Sequence, residues 1–177
     1  MAEATPFKIN RAPVLTLWAA IVAERLGFDH DEALTLGRAV AGLNAQAKGK
    51  RLGIFKPSAD SLREKRKEKP AGVFEVELLH RAVPAVMTAD GIRATSKGKP
   101  SNPEAVEKYL AAKFGPHLAA TVAAMAELAQ SFTPGELADL GFRLYECFRP
   151  AIPEGVEGWG AAGALSLAAI HGAGREV

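Results

Sequence analysis

Cysteine is almost missing from this sequence: Cys147 stands alone among 177 residues. A single thiol excludes an internal disulfide framework and a zinc site built from cysteines alone, and it suits a reducing, cytoplasmic setting. Tryptophan and tyrosine occur only twice each. Their scarcity, set against abundant alanine, favours helices over sheets. No apolar run approaches the ~20 residues of a membrane span, and "MAEATPFKIN" lacks the basic-then-apolar layout of a secretory signal. Walker loops, nucleophile elbows and zinc-protease helices are missing too. The sequence therefore leans away from an enzyme, and it yields no catalytic residue, no cofactor and no metal ligand.

What is present is ordinary for a globular chain: 48% apolar and 24% charged residues. The length fits one domain with a real core. A net charge of +2 hides an imbalance. Residues 1–100 carry 17 Lys/Arg against 11 Asp/Glu, and residues 101–177 carry 5 against 9. Within 48–69 there are nine basic residues and three acidic ones.

Helical periodicity dominates. Asn10 is placed to cap a first helix whose apolar face is Val14, Leu17, Trp18, Ile21, Val22 and Leu26. Gly27 supplies its left-handed stop. A second helix starts at Asp29 or Asp31 and ends near Lys48-Gly49, with Ala33, Gly37 and Ala41 forming a strip of small residues that another helix can approach. Its acidic start argues against a recognition helix of the helix-turn-helix kind, which offers its N-terminal end to the groove. A polar third piece begins at Ser58 or Ser61 and stops at Pro70, an exposed connector with little to bury.

The period then changes to two. Phe74, Val76 and Leu78 alternate with Glu75 and Glu77, as in a half-exposed strand. Residues 86–95 read as a hairpin around Asp90-Gly91. Pro84 restricts the middle piece to an edge or a break, and a short helix through "VELLHRA" is the alternative. Helices return at Asn102-Pro103, along Leu118, Val122, Met125, Leu128 and Phe132, and at Thr133-Pro134-Gly135-Glu136, a complete start signal. A last short helix falls around 164–171. The expected fold is a mainly α, single-domain helical bundle with a small β-hairpin insertion. Its parts are a helix pair at 10–48, a basic connector at 49–72, the hairpin region at 73–97 and a helical bundle at 101–171.

Several local patterns resemble sites and are better explained as structure. Gly158-Trp159-Gly160-Ala161-Ala162-Gly163 matches G-x-G-x-x-G but follows no strand and opens no βαβ unit. It reads as a loop that Trp159 anchors, although backbone amides at a helix start could still hold an anion there. His30 between Asp29 and Asp31 reads as a solvated turn with a capping Asp. Glu75/Glu77 and Glu104/Glu107 read as solvated faces. Cys147 reads as a buried, inert thiol.

The basic residues remain. Lys48, Lys50, Arg51 and Lys56 follow the second helix, with Gly49 as its stop and Gly53 nearby. Arg93, Lys97 and Lys99 follow the hairpin, with hydroxyls between them. If the two groups meet, they form one phosphate-contacting surface. The expectation is a nucleic-acid partner, no membrane, and non-catalytic binding. The competing reading is a helical protein–protein interaction module, such as a homodimer or other homo-oligomer, whose basic loop only solubilises.

Overall fold

The computed structural model describes residues 6–51, 72–96, 99–150 and 162–175. Of the basic connector expected at 49–72, residues 52–71, including Lys56, lie outside these, as do Lys97 and Trp159.

Helix α1 (Arg11–Arg25) is buried along the whole run from Pro13 to Ala23. A helix apolar on every side belongs in the middle of a core. Asn10 is its N-cap residue, though no side-chain capping bond is made. Gly27 ends the helix at φ +113°. Its N–H donates to the Glu24 carbonyl and that of Phe28 to Ala23, which together satisfy two terminal carbonyls.

Asp29 then caps α2 (His30–Arg51). Asp29 Oδ1 accepts from the Glu32 N–H at 2.8 Å, and Glu32 Oε1 accepts from the Asp29 N–H at 3.0 Å. The pair satisfies two orphan donors reciprocally. Gly37 is where α1 comes closest: a Cβ there would stand 2.6 Å from the Thr16 carbonyl oxygen and 2.8 Å from the Ala20 nitrogen. Contrary to the expected stop, α2 runs through Gly49 to Arg51. One glycine costs a helix only about 1 kcal/mol, which a long helix can absorb.

The hairpin proves to be the middle of a larger sheet. Strands β2 (Phe74–Leu78), β3 (Arg81–Thr88), β4 (Gly91–Ser96) and β5 (Lys99–Pro100) pair antiparallel in that order. The chain is therefore helices plus a four-stranded sheet, not a helical bundle with one hairpin. β3 and β4 pair Thr88 with Gly91, whose φ is +118°. β2 and β3 pair Leu78 with Arg81, leaving Leu79 and His80 as a two-residue turn in place of the alternative helix.

Both turn residues have positive φ, +50° and +63°. For non-glycine residues that conformation costs roughly 1–2 kcal/mol each. Burial of Leu79 offsets it. Its Cδ2 fills the space where a Cβ on Gly141 would lie. His80 Nε2 meets the Asp139 carbonyl at 3.0 Å beside it.

Pro84 sits in a central strand, not at an edge. The reason is local. A strand residue's N–H and C=O point to the same side, and the Pro84 carbonyl accepts the Thr95 hydroxyl of β4 at 3.3 Å. The missing N–H therefore faces β4, whose ladder with β3 ends at Ala85–Ala94, one residue short of the proline. α2 covers the other edge of β4. Glu32 Oε2 accepts from the Ile92 N–H at 2.8 Å and Thr35 Oγ1 from the Ala94 N–H at 3.1 Å. Polar side chains from a helix thus occupy donors that could otherwise template a further strand.

Two short strands had no sequence signal. β1 (Phe7–Asn10) and β6 (Ala162–Leu165) pair antiparallel, with Ile9 opposite Gly163. Gly163, the last glycine of the G-x-G-x-x-G pattern, is thus a strand residue and does not open a helix. The final helix, α6 (Leu167–Gly172), starts later than expected because β6 occupies the preceding residues.

Between the sheet and β6 the described residues form three helices. In α3 (Pro103–Phe114), Asn102 caps by accepting from the Glu104 N–H at 2.9 Å. A single 3-10 turn, Gly115–His117, leads to α4 (Leu118–Gln130). α4 turns Thr121 and Ala124 inward and leaves Val122 exposed, so its buried stripe is rotated from the one expected. α5 (Pro134–Phe148) carries the full capping box. Thr133 Oγ1 accepts from the Glu136 N–H at 3.1 Å, and Glu136 Oε1 accepts from the Thr133 N–H at 2.9 Å. Thr133→Ala should therefore lower stability by about 1 kcal/mol in chemical denaturation. An unchanged midpoint would show that the cap carries no weight.

Candidate nucleic-acid interface

The basic end of α2 follows a stretch of the helix that packs on the core. Ala33, Leu34, Leu36, Val40 and Ala41 are buried, and Gly42 to Ala45 are half-buried. The residues beyond, Gln46-Ala47-Lys48-Gly49-Lys50-Arg51, include no large apolar side chain that could anchor that end. Lys48, Lys50 and Arg51 all belong to the last turn of the helix. Cations complement the negative end of the helix dipole. The same dipole repels phosphate, so contacts here must come from side chains and not from backbone amides.

Arg93, one member of the second expected basic group, is placed away from the basic end of α2. The hairpin turn lies at the acidic start of α2, where Glu32 meets Gly91 and Ile92. From Asp31 to Lys48–Arg51 the helix climbs about 26–30 Å at 1.5 Å per residue. Arg93 belongs to the far end. It is 7% exposed, and its guanidinium donates to the Ile92 carbonyl at 2.9 Å and to that of Asp90 at 3.4 Å. Asp31 Oδ2 stands 4.0 Å away. Lys99 lies exposed on β5.

The histidines occupy four unrelated settings. His80 docks the β2–β3 turn, and His117 stacks on Phe7 with ring centroids 4.1 Å apart. His171 Nδ1 lies 3.8 Å from Glu127 Oε2. These two line an open cleft of about 390 Å³ with Leu128, Ser131, Phe132 and Gly174. A serine nucleophile would need its hydroxyl bonded to a base. Ser131 Oγ instead donates to the Glu127 carbonyl at 3.2 Å, one turn back along its own helix.

His30 is the histidine whose surroundings the sequence hid. Its Nε2 lies 2.9 Å from Glu107 Oε1 across 77 positions of chain, and its Nδ1 lies 3.4 Å from Glu24 Oε1. The hydrogen bond to Glu107, with the charge of Glu24, raises its pKa, while burial works against the rise. Ligand atoms of His30, Asp31 and Glu107 lie within 4.8 Å of one another, and all three residues are exposed. The 2.9 Å separation is of hydrogen-bond length, so an ion pair accounts for the grouping and no metal is assigned to it. Of the other sequence candidates, Cys147 is half-buried beside the core, and Glu75 and Glu77 lie exposed on β2.

Among the described residues no helix is long and apolar enough to cross a membrane. Comparison with family models, curated proteins and solved structures finds no match to this chain.

Proposed function

We propose that the protein binds nucleic acid without catalysis, contacting phosphates through Lys48, Lys50 and Arg51 and through Lys99, with Lys56 and Lys97 adjoining them in sequence. The observation that carries this reading is the continuation of α2 to Arg51. Three cations sit in one final helical turn instead of on a loop, so less ordering entropy opposes their contacts. The nine basic residues at 48–69 extend the same charge. Arg93, buried and engaged with backbone carbonyls, takes no part in it.

Binding of this kind is electrostatic first. Fluorescence anisotropy with labelled duplexes at low salt should show the wild-type chain binding unrelated sequences with similar affinity. Lys48→Ala/Lys50→Ala/Arg51→Ala should weaken all of them by similar factors. It should also flatten the slope of log affinity against log salt by about 0.9 for each phosphate the variant no longer neutralises. Absence of binding to duplex DNA and RNA would leave the interaction-module reading. Met87 favours that reading to a degree: it is 65% exposed and sits opposite Ile92 on the hairpin.

A further inference from the structure

His30 is the first residue of α2, and both its ring nitrogens face carboxylates from other helices. Glu24 comes from the last turn of α1 and Glu107 from the second turn of α3. A neutral imidazole donates from one nitrogen only, leaving the other as a lone pair. Whichever tautomer forms, that lone pair would face a carboxylate oxygen. Only the imidazolium satisfies both partners at once.

We propose that His30 is a proton-operated clasp, its imidazolium joining α1, α2 and α3 through Glu24 and Glu107, and that loss of its proton loosens the start of α3. The groups around it bias it in both directions. Asp31 on α2 adds negative charge, offset by Arg93 of β4 at 4.0 Å from Asp31. The N-terminal end of the α2 dipole opposes a cation at this position. The hydrogen bond to Glu107 outweighs the desolvation that comes with partial burial, and the pKa moves up from 6.5.

What the clasp controls is local. On both sides of Glu107, α3 is also held by the buried Val106, Leu110 and Phe114 and by Arg38, whose guanidinium stacks 4.3 Å over the Tyr109 ring. Burial pushes the Tyr109 phenol above its ordinary value of 10. α3 therefore stays docked when His30 loses its proton, and what is released is the Glu107 side chain and the first turn it steadies. A group whose pKa rises on folding contributes stability that is fully present below its unfolded pKa. That contribution disappears as pH rises through the folded pKa. Here the window opens at about 6.5 and extends upward. Because the three side chains are about half exposed, the stability involved is small.

The test is an NMR titration of the histidine Cε1–H signals in the full chain, with His30 assigned by its loss in His30→Asn. The His30 midpoint should lie above 6.5 and fall toward it in Glu107→Gln, with a smaller fall in Glu24→Gln. Chemical denaturation should show wild type more stable than His30→Asn about one pH unit below the ordinary histidine pKa, the gap closing about two units above it. A wild-type midpoint at or below 6.5, or one that neither substitution moves, would overturn the clasp. So would a midpoint that shifts when a chelator is added, since a bound cation would then occupy the place given to the proton.

Discussion

Replacing Trp18 by alanine is expected to remove about 3–5 kcal/mol of folding stability, the range for a fully buried large aromatic. Trp18 has no exposed surface. Its ring meets Phe148 edge-on, with centroids 5.4 Å apart, and Phe148 meets Tyr145 in the same way at 6.0 Å. Tyr145 is buried enough to push its phenol up to about 12 against the pull of Arg149 and Arg11. The site also carries a polar bond. Trp18 Nε1 donates to the Gly141 carbonyl at 2.8 Å, joining α1 to α5 across 123 positions of chain.

Trp18→Phe separates the two contributions. It retains most of the ring volume and removes the donor, so it should cost well under half of the alanine effect, with about 1 kcal/mol from the missing bond. Urea denaturation of the three proteins should give parallel transitions with falling midpoints. If Trp18→Phe and Trp18→Ala cost the same, the hydrogen bond and not the packing would be what makes Trp18 matter.

Trp18 can be placed in the core from its spacing with Val14, Leu17, Ile21 and Val22, and the capping sequences at Asn102 and Thr133 can be read in the same local way. Each of those signals lies within a few residues. What the sequence hides depends on distant partners. The Leu79–His80 turn has none of the glycine or asparagine that marks such turns. It exists because Leu79 finds the notch above Gly141, about sixty residues on. β1 and β6 are four residues each, and "AGAL" has no β-branched alternation; only their mutual pairing makes them strands. At the end of α2, Gly49 reads as a stop, and nothing local shows that the helix outlasts it.

The candidate site divides along the same line. The cluster of positive charge at 48–51 is legible in composition alone. That Arg93 turns inward is not, because the carbonyls of Asp90 and Ile92 and the carboxylate of Asp31 that receive it are arranged by the sheet meeting α2. His30 reads as a solvated turn residue for an equally physical reason. Glu107, one of its two partners, stands on a helix that the sequence places in a separate part of the chain.

Gly37→Ala should be among the most damaging single-methyl changes in the protein, with an expected loss of about 3 kcal/mol. Overpacking costs roughly 1–3 kcal/mol and sometimes more, and this position belongs at the upper end. The added Cβ would meet the Thr16 carbonyl oxygen at 2.6 Å and the Ala20 nitrogen at 2.8 Å. Those are backbone atoms of α1, with no rotamer to change, so relief requires the two helices to move apart. α1 is buried from Pro13 to Ala23, and such a movement disturbs the core around Trp18 as well. Gly42, five residues along the same helix, is the control: a Cβ there would meet nothing within 4 Å. Gly42→Ala should leave stability unchanged or raise it by up to about 1 kcal/mol through helix propensity alone. The two substitutions make the same chemical change with opposite expected signs. Denaturation midpoints that move in the same direction for both would mean that the α1–α2 crossing does not depend on the missing side chain at Gly37.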